Sequence, residues 1–449
     1  MQALVVGLAV TGEAVARHLT RRGHVVVAAD DHPGDAIRAV AVGLGIELVG
    51  APSVAELAGL VAAADVVLPS PGVPSSHPVF ALAAERGIPV WSEFELAARW
   101  SDRPLVAITG TNGKTTVTTL VTEMLRRSGR ATVAAGNTEL PLLDALDEPV
   151  DVVVVEASSF RLQLAPSFHP RVGTWLNLAP DHLDWHASMA EYEQAKGRLW
   201  QAFGPGDTAV ANADDPVVAD RARQLSCDVV WFSLEQRAEW WWDRQRATLQ
   251  GPTGTLVRVA ALPRRAPHDL ANALAAAATA TAAGAPAELS AEVLEGFTGL
   301  AHRLALVADV DGVRWYDDSK ATTPASVLAA VRGFDSVVLI AGGRNKGLDL
   351  GGLAATVPPV HHVVAIGDAA DEVAAAFAGS GVPVRVATSM AEAVTAARQV
   401  AGAGDAVLLS PGCASFDWYR DYTERGADFA RLVSGITGAP LLPPLPGGH

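Results

Sequence analysis

The chain has 449 residues, more than one hydrophobic core accommodates, so we expect two to four domains. Its composition, 49% hydrophobic and 18% charged, is typical of a globular protein and shows no long biased block that indicates disorder. The formal net charge of −15 disfavours general binding to nucleic acid or to anionic membranes, although a small anionic ligand stays compatible with it.

Cysteine content and the N-terminal sequence favour a cytoplasmic protein. Cys227 and Cys413 offer neither a disulfide framework nor metal-ligand spacing, which is typical of the reducing cytosol. Met1 runs almost directly into an apolar strand, with no basic segment and no cleavage site, so we expect no secretory signal. The most membrane-like stretch, 270–285, is mostly Ala and Thr, and we predict a packed helix there and no membrane insertion.

The first part of the chain alternates short apolar strands with amphipathic helices. We predict strands at 4–6, 25–29 and 65–68 and helices at 12–19 and 79–86. The second part has predicted strands at 105–109, 131–135, 152–155 and 174–176, with helices at 115–128 and 269–283. The third part, from about Gly299, has predicted strands at 337–341, 363–366, 384–386 and 406–409.

This alternation predicts an α/β protein of three domains. We place a Rossmann-like domain at 1–92, a central P-loop domain at 93–298 and a Rossmann-like C-terminal domain at 299–449. The proline-rich tail at 440–449 cannot hold a helix, and we expect it to be frayed.

A glycine-rich turn lies between the predicted strand at 105–109 and the helix that follows. It reads Gly110-Thr111-Asn112-Gly113-Lys114-Thr115-Thr116. Backbone N–H groups at a helix N-terminus bind phosphate, a lysine neutralises its oxygens, and a hydroxyl like that of Thr115 ligates magnesium. Ile108 stands where the eight-residue form has its first glycine, but the strand before and the helix after indicate nucleotide binding.

Three further side chains are candidates for the same chemistry. Glu156 ends an apolar run, where a carboxylate in a P-loop domain is well placed for magnesium; the alternative is a strand-end acid that faces water. His182 follows another predicted strand and could ligate a metal, although a lone loop histidine is often merely exposed. Lys196 lies on a predicted helix, where by itself it indicates only a solvated lysine.

The N-terminal turn Gly7-Leu8-Ala9-Val10-Thr11-Gly12 resembles a dinucleotide fingerprint, with Asp30 close to the usual acidic position. Ala9 replaces the middle glycine that normally lets the backbone approach a pyrophosphate. A nucleotide-sugar is therefore a better candidate than NAD for this turn.

Lysine is scarce in the chain. Only four of the 34 Lys and Arg residues are lysines, namely Lys114, Lys196, Lys320 and Lys346. In an arginine-rich chain a lysine can mark a place that needs a compact ammonium or a titratable amine; the alternative is compositional chance. In the third part, loops at 316–322, 341–347 and 410–416 carry Lys, Ser and Thr after apolar runs, which suits recognition of a carboxylated substrate.

Together these motifs resemble the muramyl (Mur) ligases, over essentially the whole chain to about Ser434. The most specific pieces lie at 109–116, 156–160, 318–322, 409–416 and 422–426. The resemblance implies a cytoplasmic ligase that uses ATP and two Mg²⁺ ions to join glutamate to UDP-N-acetylmuramoyl-L-alanine through an acyl phosphate, in peptidoglycan precursor synthesis. Its partners would be these small molecules only, and we expect it to act as a monomer.

The resemblance also implies roles for individual residues. ATP would contact Gly110, Thr111, Asn112, Gly113, Lys114, Thr115, Thr116, Asn272, Arg303 and Asp318. Magnesium would be held by Thr115, Glu156, His182 and a carbamoylated Lys196. The catalytic set would be Lys114, Glu156, His182, Lys196 and Lys320. The uridine-nucleotide substrate would meet Thr11, Gly12, Asp30, Asp31, Gly72, Asn137, Ser158 and His182. Glutamate would meet Thr322, Lys346, Ser415 and Tyr422.

Some features depart from the family pattern. Ala9 replaces a glycine, Asp269 replaces the first Asn of a His-Asn-x-x-Asn pattern, and His32 stands where Arg can occur. Residues 240–242 are three tryptophans, which we interpret as a partly buried patch.

Three alternatives stay open. The chain could be a sibling Mur ligase with another acceptor or amino acid. It could resemble folylpolyglutamate synthase, which shares the P-loop chemistry but generally lacks the first domain. It could also be a non-catalytic nucleotide-binding switch, which could dispense with Glu156, His182 and Lys196. The preference for D- or L-glutamate is left open as well.

Overall fold

The structure is a computed structural model that describes residues 1–138, 140–182, 185–345 and 348–438. The chain divides into two compact units between Phe297 and Thr298. The α/β class is confirmed: two sheets lie in the first unit and one in the second. Within the described ranges, no helix is long and apolar enough to cross a membrane. The predicted tail at 440–449 lies outside the described residues, and so does Lys346.

A four-stranded parallel sheet opens the first unit. Its elements are β1 (Gln2–Val6), α1 (Val10–Arg21), β2 (Val25–Asp30), α2 (Asp35–Leu44), β3 (Glu47–Gly50), α3 (Val54–Ala63), β4 (Val66–Pro69), α4 (Pro78–Arg86) and α5 (Glu93–Trp100). The strand order is β3-β2-β1-β4, and every neighbouring pair is parallel. The short Val- and Ala-rich strands β1 and β4 are buried, which explains why they show continuous apolar runs. Their carboxyl ends carry the N-terminal glycine turn and Ser70 at one edge.

A nine-stranded sheet forms the rest of the first unit. Its strands are β5 (Leu105–Thr109), β6 (Thr132–Gly136), β7 (Val152–Glu156), β8 (Val172–Trp175), β9 (Thr208–Asn212), β10 (Asp228–Ser233), β11 (Trp240–Asp243), β12 (Thr248–Gly251) and β13 (Gly254–Arg258). Its helices are α6 (Lys114–Arg127), α7 (Leu142–Asp147), α8 (Ser159–Gln163), α9 (Met189–Gly197), α10 (Pro216–Ala222), α11 (Pro267–Ala282) and α12 (Ala287–Gly296).

The order of the nine strands is β13-β12-β11-β10-β9-β8-β5-β7-β6. Strand β5 lies between β7 and β8, and all three run parallel. Because parallel strands end at one edge of a sheet, the turn at 110–113, Glu156 and the chain after Trp175 converge there. Strands β9 to β13 were not predicted from the sequence. In β11, Trp240 is buried and Trp241 and Trp242 are half-buried, in agreement with the predicted patch.

A six-stranded sheet forms the second unit. Its elements are β14 (Ala305–Val310), β15 (Val313–Asp317), α13 (Pro324–Val331), β16 (Val337–Gly342), β17 (Val360–Ile366), α14 (Ala370–Ala376), β18 (Val384–Ala387), α15 (Met390–Val400), β19 (Ala406–Gly412) and α16 (Tyr422–Thr437). The order is β14-β15-β19-β16-β17-β18, in which only the β14–β15 pair is antiparallel. The predicted parallel strands are confirmed, and the hairpin of β14 and β15 was missed.

Helix α11 is the packed helix predicted from the most membrane-like stretch. It begins at Pro267, which the first turn of a helix tolerates because the missing N–H has no partner there anyway. Asp269 accepts hydrogen bonds from the backbone N–H of Ala266 at 3.3 Å and from Arg264 Nε at 2.9 Å. Asp269, which replaces the Asn of the family pattern, therefore gives a charged cap to the helix that carries Asn272.

Replacing Leu274, a fully buried residue of α11, tests the packing of this helix. We expect Leu274→Ala to lower the free energy of unfolding by about 2–5 kcal/mol, because it removes buried methyl groups and leaves a cavity. Val42→Ala, at a side chain that is 81% exposed on α2, should change it by less than about 0.5 kcal/mol. Urea titrations followed by tryptophan fluorescence measure both changes; equal midpoints for the two variants would contradict the packing.

Candidate active site

The glycine-rich turn connects β5 to the N-terminus of α6. Gly113 has a positive φ of 87°, and a Cβ atom there would collide with Oδ1 of Asn272. Glycine is therefore required both by the backbone and by the close approach of Asn272. Lys114 Nζ donates to the carbonyl oxygens of Gly110 and Thr111, each at 2.9 Å. The turn thus combines an ammonium and a helix N-terminus, the two features that bind phosphate.

Lys196, from α9, reaches the same turn. Its Nζ donates to the carbonyl oxygen of Gly110 at 2.8 Å and lies 4.5 Å from the centre of the Tyr192 ring. The side chain is 1% exposed, which excludes the alternative of a solvated lysine. Burial, together with the charge of Lys114, lowers the pKa of Lys196 to about 6. At neutral pH this lysine is therefore mostly an uncharged amine.

Glu156 ends β7 beside the turn, and its side chain is buried. Its Oε1 accepts a hydrogen bond from Asn137 Nδ2 at 2.8 Å. Its Oε2 is buried and makes no hydrogen bond to any described residue. The alternative of an acid that faces water is excluded. Since a buried carboxylate oxygen without a partner is costly, this one fits a bound cation.

The predicted magnesium ligands are chemically diverse. His182 has a positive φ of 53°, its Nε2 lies 3.4 Å from Asp181, and its ring meets those of Phe160 and Tyr192. Among the residues that the structure describes, no three His, Cys, Asp or Glu side chains form a ready group for a metal. The chain can meet the oxygen preference of Mg²⁺ with Glu156, a hydroxyl and a carbamate on Lys196. The residues present therefore fit magnesium if Lys196 is modified.

The N-terminal turn is held together by residues predicted to bind the uridine nucleotide. Asp30 accepts hydrogen bonds from the N–H groups of Leu8 and His32, both at 2.9 Å. A Cβ atom on Gly12 would collide with the carbonyl oxygen of Gly7, so glycine is needed where α1 meets the turn. These contacts show a structural task for Asp30 and Gly12.

The remaining predicted residues of the uridine-nucleotide site are more dispersed. Asp31 pairs with His77 Nε2 at 3.3 Å, and a Cβ atom added to Gly72 would have nothing within 4 Å. Ser158 is buried and caps α8, where its Oγ accepts from the N–H of Arg161 at 3.5 Å. The described contacts do not link Asp31 or Gly72 to the other predicted residues.

Sequence reasoning missed two charged residues in this unit, Glu93 and Arg161. They line a narrow surface cleft together with Thr11, Ser70, Phe160 and Trp185. Burial raises the pKa of Glu93 to about 7, against the opposing effect of the Arg161 charge. Arg161 directly follows the motif at 156–160, which was an available signal, whereas nothing in the sequence marks Glu93 as buried.

In the second unit, the loop after β15 meets the start of α16. Lys320 Nζ lies 5.0 Å from the centre of the Tyr422 ring, and Ser319 Oγ donates to the Tyr422 carbonyl at 2.8 Å. Arg425, which was not predicted, is 1% exposed and donates to the carbonyl oxygens of Ser319 at 2.8 Å and Cys413 at 3.2 Å. This arginine ties the loop after β15 to the loop after β19.

The other predicted residues of this unit differ in exposure. Asp318 is buried and accepts from Ser410 Oγ at 2.7 Å and from the N–H of Leu304 at 3.2 Å. Burial raises the pKa of Asp318 to about 7. Ser415 is buried, Thr322 is half-buried and Arg303 is exposed. Lys346 lies outside the described residues.

Comparison with known families covers most of the chain. Residues 1–92 match the description "Mur ligase MurD-like, N-terminal domain", residues 108–280 match "Mur ligase middle domain", and residues 302–413 match "Mur ligase, glutamate ligase domain". The UDP-N-acetylmuramoylalanine–D-glutamate ligase of Pelotomaculum thermopropionicum is 41% identical over 96% of this chain and 97% of its own length. The enzyme of that name from Frankia casuarinae is 44% identical, over 97% of this chain and 94% of its own length.

Solved structures support the fold. The UDP-N-acetylmuramate–alanine ligase MurC of Thermotoga maritima aligns with a TM-score of 0.57 at 19% identity, covering 97% of this chain and all of that one. A pseudomurein peptide ligase of type C from Methanothermus fervidus aligns with a TM-score of 0.56 at 18% identity, covering 97% and 99%. Given these matches, the chain belongs to the Mur ligase family of ATP-dependent amide-bond ligases and has its three-domain α/β architecture.

Proposed function

We propose that this Mur ligase joins D-glutamate to UDP-N-acetylmuramoyl-L-alanine in cytoplasmic peptidoglycan precursor synthesis, with conversion of ATP to ADP and phosphate. The relatives that are 41% and 44% identical over nearly the whole chain carry the name of that activity. The geometric observation behind the proposal is the edge at β5 and β7. There Lys114 and Lys196 share the Gly110 carbonyl, and Glu156 ends the strand that pairs with β5.

The reaction proceeds in two steps. The carboxylate of the acceptor attacks the terminal phosphorus of ATP and ADP leaves, which gives an acyl phosphate. The amine of glutamate then attacks the acyl carbon, and phosphate leaves from the tetrahedral intermediate as the amide forms and a proton is lost. Such transfers depend on positioning and on charge neutralisation. Lys114 supplies a positive charge at the turn, and bound magnesium, when present, neutralises phosphate oxygens.

Two magnesium ions would be held by Thr115, Glu156, His182 and a carbamoylated Lys196. Carbamoylation requires the neutral amine, whose nitrogen attacks carbon dioxide; an N–C bond forms and one proton is released to solvent. The lowered pKa of Lys196 favours this step, because the amine is already uncharged at neutral pH. The product is an anion that arginine cannot form.

The remaining assignments are part of the proposal. The uridine nucleotide meets Thr11, Gly12, Asp30, Asp31, Gly72, Asn137, Ser158 and His182. ATP meets residues 110–116, Asn272, Arg303 and Asp318. Glutamate meets Thr322, Lys346, Ser415 and Tyr422, with Lys320 beside them. The three domains span 1–92, 93–298 and 299–449, and the protein acts as a monomer.

The first experiment measures phosphate release from ATP with UDP-N-acetylmuramoyl-L-alanine and D-glutamate, L-glutamate or no amino acid. We expect release with D-glutamate only. Release with L-glutamate would change the product but keep the reaction. A folded protein that binds ATP and releases no phosphate with either amino acid would contradict the proposal and favour a sibling ligase or a nucleotide-binding switch.

Glu156→Gln tests the magnesium role of the carboxylate. We expect kcat to fall roughly 100-fold or more, because the variant removes the negative charge of the carboxylate that would hold and orient Mg²⁺. Glu148→Gln, at an exposed acid just before β7, should leave kcat within about twofold, since surface substitutions away from a site have small effects. Steady-state kinetics over a range of Mg²⁺ concentrations measure both. A Glu156→Gln enzyme with unchanged kcat and Mg²⁺ dependence would remove Glu156 from the metal site.

Carbamoylation of Lys196 should increase as the pH rises. The amine has a pKa of about 6, so it is protonated and unreactive below pH 6 and mostly neutral above pH 7. We expect a ¹³C-carbamate NMR signal from ¹³C-bicarbonate that grows between pH 6 and pH 8. Lys196→Arg should lack both this signal and activity. The same signal in Lys196→Arg, or none in the wild type while it is active in carbon dioxide-free buffer, would exclude the modification.

A further inference from the structure

The guanidinium of Arg161 makes one ion-pair contact and two hydrogen bonds inside the first unit. Its Nε lies 3.0 Å from Glu93 Oε1, its Nη1 donates to Asn137 Oδ1 at 3.1 Å, and its Nη2 donates to Thr11 Oγ1 at 3.2 Å. The side chain is 5% exposed, so solvent screens these contacts little. One cation therefore joins the start of α5, the chain after β6 and the N-terminal glycine turn.

The Asn137 amide extends this connection to Glu156. Its Oδ1 accepts from Arg161, and its Nδ2 donates to Glu156 Oε1 at 2.8 Å. Rotating the amide by 180° would place its N–H donors against the guanidinium and its oxygen against the carboxylate. Both contacts would then be repulsive, so Arg161 and Glu156 together select one orientation of the amide.

The consequence is a defined orientation of the Glu156 carboxyl group. With Oε1 engaged by Asn137, Oε2 is the oxygen that makes no hydrogen bond to a described residue. Without Arg161 the Asn137 amide oxygen loses this hydrogen bond, so the amide is held less firmly and orients the Glu156 carboxyl group less well. The effect of Arg161 on Glu156 is therefore indirect and passes through a single side chain.

The other end of the connection lies in the cleft. Thr11 and Arg161 line it together with Ser70, Phe160 and Trp185. A ligand that binds the Thr11 hydroxyl alters its contact with Arg161, because a ligand donor competes for the lone pairs of the oxygen and a ligand acceptor draws the hydroxyl towards itself. Occupancy of the cleft can therefore change the set of groups that hold the guanidinium.

We propose that Arg161 is a positioning residue that orients Glu156 through Asn137 and makes this orientation respond to the acceptor through Thr11. This inference rests on the proposed function for the identity of the acceptor and on the fit of Glu156 to magnesium. It assigns Arg161 no contact with the reacting atoms. The inference predicts that binding of the acceptor changes the affinity for the metal–nucleotide complex. By linkage, binding of the metal–nucleotide complex changes the affinity for the acceptor by the same factor.

Arg99 offers a matched control. Its Nε donates to the fully buried Glu95 at 2.6 Å, so Arg99→Gln also removes the cation beside a buried glutamate on α5. The guanidinium of Arg99 lies over the Trp91 ring and has no described contact with Thr11, Asn137 or Glu156. The Arg99 side chain is 45% exposed, so effects common to both variants report the loss of an arginine beside a buried glutamate, and effects specific to Arg161 report positioning.

The test is calorimetric titration of the full-length protein with β,γ-imido-ATP at a series of Mg²⁺ concentrations, without turnover. We expect Arg161→Gln to raise the Mg²⁺ concentration for half-maximal binding about tenfold, and Arg99→Gln to raise it less than twofold. Arg161→Lys, which keeps the charge but loses the three-pronged geometry, should lie between them. If Arg161→Gln does not fold, the double variant Glu93→Gln/Arg161→Gln removes the unbalanced buried charge and is titrated instead.

A second arm repeats the titration with UDP-N-acetylmuramoyl-L-alanine present. The acceptor should shift the Mg²⁺ midpoint at least fivefold in the wild type and in Arg99→Gln, and less than twofold in Arg161→Gln. The inference is overturned if the acceptor shifts the Mg²⁺ midpoint of Arg161→Gln as much as that of the wild type. It is also overturned if, without acceptor, the Mg²⁺ midpoint of Arg161→Gln is no higher than that of Arg99→Gln. Absence of D-glutamate-dependent phosphate release by the wild type would instead overturn the proposed function, and the acceptor-free titration still decides the role of Arg161.

Discussion

The carbonyl oxygen of Gly110 accepts hydrogen bonds from two lysine side chains, and much of the site depends on this sharing. Lys114 approaches at 2.9 Å and Lys196 at 2.8 Å. Two ammonium groups so close together repel, and the buried one loses more hydration, so Lys196 carries the lowered pKa. The same carbonyl therefore holds one lysine as a cation near the turn and the other as a neutral amine. The scarcity of lysine in this chain is consistent with such distinct demands.

The parallel sheet supplies the frame for this sharing. The turn that contains Gly110 follows β5, and Glu156 ends β7, which pairs directly with β5. At this buried strand end the Asn137 amide is the partner of Oε1, whereas Oε2 makes no hydrogen bond to a described residue and is left for a cation. The residue that orients this amide, Arg161, lies on the short helix after β7. The polar groups thus form a continuous set from the N-terminal turn to the end of β7.

Much of the fold and part of the site could be predicted from the sequence. The parallel strands were visible because burial on both faces produces continuous Val and Ala runs, as in β7. Strand β13, whose residues are mostly exposed or partly buried, carries no such run and was missed. Strand β10 was missed although it carries the apolar run at 229–232. Lys114 and Glu156 were found because their place at strand ends is encoded locally. The contact of Arg161 with Thr11 spans 150 positions in the chain and has no local pattern, and the burial of Glu93 depends on the same long-range packing.

In the second unit, Arg425 fastens the loops after β15 and β19 to each other. Two loops that share one buried arginine cannot be exchanged separately. A design that transplants the segment at 318–322 from a relative into this chain must also keep a guanidinium at position 425 and the carbonyl of Cys413 in place. The unit of modular replacement in this fold is therefore the pair of loops together with the first turn of α16, rather than either loop alone.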